Sequence, residues 1–134
     1  MKIRDILREN QADSFGEIIE KFIPFVFEKL SLSEFPDIKL KTHSIEDQQP
    51  TFGRYINDLK QIELIVTNRH PNDILRTLAH ELVHFKQDTE NKLDAHSGDT
   101  GSPIENEANA MAGVIMREFN KKYPQFLKAK PYVV

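Results

Sequence analysis

The chain contains no cysteine among its 134 residues. Disulfide bonds and cysteine-ligated zinc are therefore excluded, and any zinc site has to be built from histidine and carboxylate side chains. A protein without cysteine also fits a reducing compartment, so we expect a cytoplasmic location.

Basic charge and long apolar runs are scarce as well. The formal net charge is −3, so no basic field argues for nucleic acid as a partner. No stretch approaches the roughly 18 apolar residues of a membrane-spanning helix, and charges are scattered through the first residues, Met1–Asp5. We therefore expect no membrane partner and no secretion signal. Hydrophobic residues make up 39% of the chain and charged residues 29%, which favours a soluble globular protein with a single domain over residues 1–134.

The most informative feature that is present is the H-E-x-x-H pentapeptide at residues 80–84. Residues 72–91 contain no glycine or proline, which favours an uninterrupted helix around the motif. Side chains at i and i+4 lie one above the other on a helix, so His80 and His84 can bind one metal ion. Glu81 projects about 100° around the helix axis and can reach a water on that metal, as in hydrolytic zinc sites. The competing interpretation is a pair of surface histidines on an amphipathic helix.

The spacing of apolar, turn and capping residues predicts the order helix–strand–strand–strand–helix–loop–helix. The first helix is expected to open at a capping box over residues 14–17 and to be kinked or split at Pro24. The other predicted elements are a helical turn at residues 3–9, a strand at 37–43, a loop at 44–53, a hairpin of strands 54–56 and 61–66 with its turn at 57–60, the motif helix beginning at or near Pro71, a second long helix from Pro103 to about Lys122, and an irregular tail over 123–134.

This order indicates an α+β fold. We expect a small, mostly antiparallel sheet packed on the central motif helix and a second long C-terminal helix. The histidines lie on the side of the motif helix opposite to its apolar residues, so the second helix is the candidate to cover them. Its small residues Ala108, Ala112 and Gly113 would allow a close approach. The apolar side of the motif helix consists of Ile74, Leu78, Leu82 and Phe85.

Two histidines do not complete a zinc site, which needs a third protein ligand beside water. The second helix offers Glu105 and Glu107, whose side chains project roughly 200° apart, so at most one of them can face the histidines. Each also has a simpler interpretation. Glu105 can close a capping box with Ser102, and Glu107 can be a solvated acid favoured by the helix dipole. The preceding loop offers three rival ligands: Asp94, His96 and Asp99.

The H-E-x-x-H motif, followed by Glu-x-Glu-Ala-Asn at residues 105–109, resembles small gluzincin-type zinc metallopeptidases. The nearest likeness is to ImmA/IrrE-type proteins, and the whole chain also resembles compact H-E-x-x-H proteins encoded by bacteriophages. If the protein is encoded by a phage, this second likeness implies a virion-associated location in place of a cytoplasmic one. The specific likeness covers residues 78–87 and 103–115. The chain has Val-Ile-Met-Arg at residues 114–117 and lacks the Leu-Leu-x-Pro that often ends the second helix in ImmA/IrrE-type proteins, which leaves the subfamily and its substrate open.

The resemblance implies zinc peptidase activity, a minimal zincin-like domain with a small sheet backed by helices, and a particular third ligand. In several such families the metal-binding Glu lies three residues before the Ala. That position corresponds to Glu105 here, because the Ala is Ala108. The implied site therefore consists of His80, His84 and Glu105 as ligands of Zn²⁺.

These observations predict a zinc-dependent metallopeptidase that acts on a peptide or protein substrate, with Glu81 as general base. The strand at residues 62–66 is either an exposed edge for an extended peptide or a core strand. The alternative function is a non-catalytic zinc-stabilised binding or structural protein, such as a virion or regulatory component, although a purely structural zinc has no use for Glu81. A third hypothesis, a nucleoprotein-directed protease, rests on a basic tail of Lys121, Lys122, Lys128 and Lys130. The candidate donors to the oxyanion are Arg54, Tyr55, His96 and Tyr123.

Overall fold

The computed structural model describes residues 12–42, 52–94, 97, 99 and 101–129. The predicted α+β class and element order are confirmed. The predicted turn at residues 3–9 and most of the predicted loop at 44–53 lie outside the described residues. No helix in the described ranges has the length and apolarity needed to cross a membrane. The elements are α1 (Ala12–Leu30), β1 (Asp37–Lys41), β2 (Gly53–Ile56), β3 (Gln61–Ile65), α2 (Pro71–Thr89) and α3 (Pro103–Lys122), with short 3-10 helices at Asn57–Leu59 and Pro124–Lys128.

Helix α1 runs through Pro24 as one helix and begins two residues before the predicted capping box. A proline inside a helix leaves the carbonyl four residues earlier without its helical partner. Pro24 is exposed, and so is Glu20, which carries that carbonyl. The opposite face is fully packed, since Ile18, Phe22 and Val26 are at most 1% exposed. Burial of this face therefore outweighs the lost hydrogen bond, and the helix is not split.

The three strands of the described ranges form a mixed sheet in the order β1–β3–β2. β2 and β3 pair antiparallel as the predicted hairpin, and Lys60 closes their turn in the left-handed backbone region with a φ of 49°. β1 and β3 pair in parallel, so the sheet is less antiparallel than predicted. The chain leaves β1 and enters β2 at the same end of the sheet, and β3 then fills the position between them. β3 is thus the central strand, which supports the core-strand interpretation of residues 62–66.

A buried carboxylate on β3 ties this central strand to both neighbours. Glu63 is 4% exposed, and its oxygens lie 2.5 Å from Arg54 Nε on β2 and 2.7 Å from Lys41 Nζ on β1. Burial by itself raises the pKa of Glu63, but the bonds and charges of Lys41 and Arg54 together outweigh burial and hold that pKa below its ordinary value. Glu63 is therefore ionised at neutral pH and links all three strands.

The motif helix α2 is central to the fold and packs against the sheet, α1 and α3. Pro71 is its first residue, as predicted. Its N-cap is His70, whose Nδ1 accepts a hydrogen bond from the Asn72 backbone N–H at 3.0 Å. The predicted apolar side is at most 1% exposed, and it consists of Ile74, Leu78, Leu82 and Phe85.

Helix α3 packs along α2 and provides a residue that faces the histidines, as predicted. Ala108 and Ala112 are 0% and 3% exposed, and small side chains at such positions reduce the distance between two packed helices. Gly113 was assigned the same role in the prediction, but that part is wrong. Apart from its chain neighbours and the nearby backbone of its own helix, a Cβ built at Gly113 would have no heavy atom of the described residues within 4 Å.

Candidate metal centre

Two residues of α2 and one residue of α3 bring three ligand atoms together. Nε2 of His80 and Nε2 of His84 lie 3.1 Å apart. Oε1 of Glu105 lies 3.1 Å from each of these nitrogens. The histidines are one helical turn apart on α2, and Glu105 reaches them from the first turn of α3. These three side chains form a group that could hold a metal ion.

The donor set fits zinc. Two imidazole nitrogens and one carboxylate oxygen, with a fourth position for water, are a common catalytic zinc set. Bonds of about 2.0–2.1 Å in tetrahedral geometry separate such ligand atoms by roughly 3.3 Å, which is close to the 3.1 Å edges of this triangle. The side chains of His80, His84 and Glu105 are 22%, 12% and 22% exposed, so the triangle is not sealed from solvent.

Glu105 receives a helix cap from Ser102 and still keeps its carboxylate for the histidines. The Ser102 Oγ accepts a hydrogen bond from the Glu105 backbone N–H at 3.1 Å, which is one half of the predicted capping box. The Ser102 backbone N–H does not need the Glu105 carboxylate, because it donates to the Asp99 carbonyl oxygen at 3.0 Å. Glu107 points elsewhere and accepts a hydrogen bond from Gln87 at 2.9 Å.

Glu81 lies beside this triangle and is buried, with an exposed fraction of 7%. Burial raises the pKa of Glu81 to about 8, and the negative charge of Glu105 acts in the same direction. Burial lowers the pKa of His80, and the neighbouring charge of His84 also lowers it, although Glu105 and Asn109 act in the opposite direction. A neutral imidazole is the form that a metal needs, because only an unprotonated nitrogen can coordinate.

Two cavities adjoin the candidate centre in the described part of the chain. One has a volume of about 410 Å³, and its wall includes Glu81 and all three residues of the triangle. The other has a volume of about 460 Å³ and shares Gly53, His80 and Glu81 with the first. Residues 52–57, which contain the edge strand β2, contribute to both walls. The candidate centre therefore lies beside the edge of the sheet.

Gly53 lets β2 lie directly against the motif helix. A Cβ at this position would lie 2.6 Å from Thr77 Cγ2 and 3.1 Å from the Glu63 carbonyl oxygen. Glycine in a strand often marks such a close approach. A second contact acts between the same two elements, because the Tyr55 hydroxyl of β2 donates a hydrogen bond to Asp88 of α2. Burial raises the pKa of Tyr55, and the bond to Asp88 raises it further, so this hydroxyl stays a donor.

A family model described as IrrE N-terminal-like domain (Peptidase_M78) matches residues 34–131, a stretch that contains the sheet, α2 and α3. The chain belongs to this family. No curated protein and no solved structure gives a significant match. Membership in the IrrE N-terminal-like family confirms the resemblance drawn from residues 78–87 and 103–115, and it identifies a metallopeptidase-like domain.

The other predicted site residues that the structure describes in this IrrE N-terminal-like domain do not belong to the triangle. Arg54 and Tyr55 line the 410 Å³ cavity, but the Arg54 Nε and the Tyr55 hydroxyl both donate to carboxylates elsewhere. The Tyr123 ring packs in the tail, with its centroid 5.1 Å from that of Phe119. Of the described oxyanion candidates, Arg54 and Tyr55 therefore share a cavity wall with the triangle, whereas Tyr123 does not line that cavity. Of the rival metal ligands, His96 lies outside the described residues, and the metal-binding group found among the described residues does not include Asp94 or Asp99.

Two side-chain amides that the sequence-based prediction omits lie beside the histidines. Gln87, three residues after His84 on α2, is 0% exposed, and its Oε1 lies 2.8 Å from His84 Nδ1. Asn109, four residues after Glu105 on α3, lines the 460 Å³ cavity together with His80 and acts to raise the pKa of that ring. A spacing of three or four residues from a ligand places a side chain on the same helix face as the ligand. That spacing is the signal in the sequence that could have identified both amides.

Proposed function

We propose that the protein is a zinc-dependent metallopeptidase in which His80, His84 and Glu105 hold the metal and Glu81 is the general base. The observation that carries this proposal is the triangle of ligand atoms, 3.1 Å on each edge, with the buried Glu81 beside it. Membership in a peptidase family supports the same interpretation.

The choice of zinc rests on the types of ligand. Imidazole nitrogen suits zinc and other transition metals, whereas magnesium and calcium sites use oxygen ligands almost alone. A set of two histidines and one glutamate, with one position open, is typical of catalytic zinc. Because the chain has no cysteine, this set is also the kind of zinc site that its composition permits.

Bound zinc would polarise the scissile carbonyl and lower the pKa of a nearby water. Glu81 supplies the proton chemistry. Its carboxylate accepts a proton from the attacking water and then delivers that proton to the nitrogen of the leaving amine, which returns the acid to its initial state. Burial raises the pKa of Glu81 to about 8, and the positive charge of bound zinc would act in the opposite direction and favour the ionised form that accepts a proton. The buried position of Glu81 keeps bulk water from competing for this proton.

An extended peptide is the substrate class that the sheet favours. β2 is an edge strand, and residues 52–57 line both cavities beside the candidate centre. A strand edge can pair with an extended chain through backbone hydrogen bonds, while side-chain pockets supply selectivity. We expect a peptide paired with β2 to place its scissile bond beside Glu81, because Gly53 and Glu81 line the same walls.

A non-catalytic, zinc-stabilised binding protein is the less favoured alternative. A structural zinc is normally enclosed by four protein ligands. Three side chains meet among the described residues here, and they lie in the wall of a cavity of about 410 Å³. The alternative also gives no role to Glu81. Burial of an ionisable group costs free energy, and proteins tolerate such a cost mainly at functional sites.

Metal analysis and peptide cleavage test the proposal together. Zinc is measured by mass spectrometry in wild type, in Glu81→Gln and in the double variant His80→Ala/His84→Ala. Cleavage is measured on a proteome-derived peptide library. We expect one zinc per chain in wild type and Glu81→Gln, and no stoichiometric zinc in the double variant. Cleavage by Glu81→Gln should fall by about 10²–10⁴-fold, the usual contribution of a general base.

Glu90→Gln is the matched control, because Glu90 is an exposed acid at the C-terminal end of the same helix. This variant should bind zinc and cleave like wild type. Full zinc content in the double histidine variant would rule out the metal site. Zinc binding by wild type without cleavage of any library member would instead favour the binding-protein alternative.

A further inference from the structure

Gln87 is a buried amide with hydrogen bonds at both of its ends. Gln87 is 0% exposed. Its Oε1 lies 2.8 Å from His84 Nδ1. Its Nε2 lies 3.1 Å from the Ile104 carbonyl oxygen and 2.9 Å from Glu107 Oε1. Gln87 therefore connects a histidine of the triangle to the first turn of α3.

The two acceptors beside Nε2 determine the orientation of the Gln87 amide group. A backbone carbonyl oxygen can accept a hydrogen bond but not donate one, and the same holds for an ionised carboxylate. Ile104 and Glu107 therefore both require the NH₂ end of Gln87, which leaves the amide oxygen facing His84. A rotation of the amide by 180° would set its oxygen against two acceptor oxygens in a buried position, where unmatched polar groups are costly.

The amide oxygen in turn determines the form of the His84 ring. Because Oε1 of Gln87 accepts, His84 Nδ1 has to carry the hydrogen, and a neutral imidazole carries one hydrogen on its two nitrogens. Nε2 is then left with its lone pair. This is the nitrogen that lies 3.1 Å from His80 Nε2 and 3.1 Å from Glu105 Oε1.

We propose that Gln87 is a positioning residue that holds the His84 ring in the Nδ1–H form and so presents an unprotonated Nε2 to a metal ion. This inference rests on the proposed function, because it assigns Gln87 to the same metal site. Without Gln87, an Nε2–H of His84 could donate to Glu105 Oε1, and a metal would have to displace that proton before it could bind. Loss of such a partner typically lowers metal affinity about 10–100-fold.

A purely structural role has to be separated from this one, because Gln87 also joins α2 to α3. Gln87→Met removes all three hydrogen bonds at a similar side-chain volume. Glu107→Ala removes one of the two bonds to α3, while the Ile104 carbonyl still orients the amide. If orientation of the ring matters, the first change should be far more harmful to zinc binding than the second.

The ring form is measured in the metal-free protein by long-range ¹H–¹⁵N correlation NMR at about pH 8.5, above the ordinary pKa of histidine. His84 is assigned by comparison with His84→Gln, and zinc affinity is measured in the same samples by competition with a chromogenic chelator. We expect the Nδ1–H form in wild type and Glu107→Ala, and the Nε2–H form in Gln87→Met. Zinc affinity should fall about 10–100-fold in Gln87→Met and far less in Glu107→Ala.

A wild-type His84 ring in the Nε2–H form would overturn the inference, whatever the variants do. The same holds if Gln87→Met keeps the Nδ1–H form with wild-type zinc affinity, or if Glu107→Ala loses zinc as strongly as Gln87→Met. Should Gln87→Met fail to fold, the ring form of wild type still decides the inference, because it is measured without any substitution. The Nδ1–H form in wild type and in Glu107→Ala would support the inference, and the Nε2–H form in either protein would overturn it.

The metal-free measurement also separates this inference from the proposed function. Failure of the peptidase proposal would appear as absent zinc or absent cleavage. The form of the His84 ring is observed without metal or substrate, so it tests Gln87 independently of both.

Discussion

Replacing Gly53 by alanine should weaken the contact between β2 and the motif helix. The added Cβ would lie 2.6 Å from Thr77 Cγ2 and 3.1 Å from the Glu63 carbonyl oxygen, so either β2 or Thr77 has to move. Thr77 cannot turn away without loss, because its hydroxyl accepts a hydrogen bond from Arg69 at 2.7 Å and donates to the Asp73 carbonyl oxygen at 3.1 Å. Overpacking of this kind costs about 1–3 kcal/mol of unfolding free energy.

Thermal and urea unfolding measure this effect. A loss of about 2 kcal/mol lowers Tm by roughly 6–10 °C in a chain of this size. Gly113→Ala is the matched control, because its added Cβ would have no heavy atom of the described residues within 4 Å apart from its chain neighbours and the nearby backbone of its own helix. Gly113 lies inside α3, so its replacement by alanine should raise stability by about 0.5–1 kcal/mol. Replacement by alanine is therefore expected to lower the free energy of unfolding at Gly53 and to raise it at Gly113.

A second change identifies the atom responsible. Thr77→Ser removes Cγ2 and keeps the hydroxyl, so Gly53→Ala combined with Thr77→Ser should be more stable than the sum of the two single changes predicts. Peptide cleavage should fall in Gly53→Ala because Gly53 lines both cavities, whereas zinc affinity should not change because the ligands lie on α2 and α3. An unchanged Tm in Gly53→Ala, or strict additivity in the double variant, would refute the reasoning.

Two further predictions concern the acidic residues Glu105 and Glu63. Glu105→Ala should weaken zinc binding far more than Glu107→Ala in a chelator competition, because Glu105 contacts both histidines while Glu107 contacts an amide. The reverse order would identify Glu107 as the metal ligand. Glu63→Gln should lower the free energy of unfolding at pH 7 by about 1–3 kcal/mol, since it breaks charged bonds to Lys41 and Arg54. The pKa of Glu63 is lowered in the folded state, so its stabilisation is present above the ordinary pKa of about 4.3 and is lost as the pH falls through the folded value. Wild type and Glu63→Gln should therefore converge in acid urea titrations, and a constant difference at all pH values would contradict this assignment.

Local signals predict the helices that carry the site. Pro71 and Pro103 begin α2 and α3, and Ser102 provides the N-cap of α3. Such signals act within one helical turn, so they can be recognised without knowledge of the rest of the fold. Pro24 shows the limit of this approach. Its effect on α1 depends on how strongly the opposite face of the helix is buried, and burial is a property of the whole fold.

Sheet order and hydrogen-bond partners could not be predicted in the same way. The insertion of β3 between β1 and β2 depends on strands that are distant in the chain. In a complete capping box the Ser102 N–H would donate to the Glu105 carboxylate. Here it donates to the Asp99 carbonyl oxygen, so the Glu105 carboxylate is available to the histidines. The partner of the His84 ring is likewise settled by two acceptors on α3 that orient the Gln87 amide.

By itself, the sequence determines that one helix carries two histidines and an acid at the spacing of a metallopeptidase motif. A helix sets the relative positions of residues one to four apart, so His80, Glu81 and His84 can be placed relative to one another from their numbers alone. Tertiary structure alone decides which carboxylate completes the group. Glu105 comes from another helix, and its position at 3.1 Å from both nitrogens depends on the packing of α3 against α2 and not on any local preference.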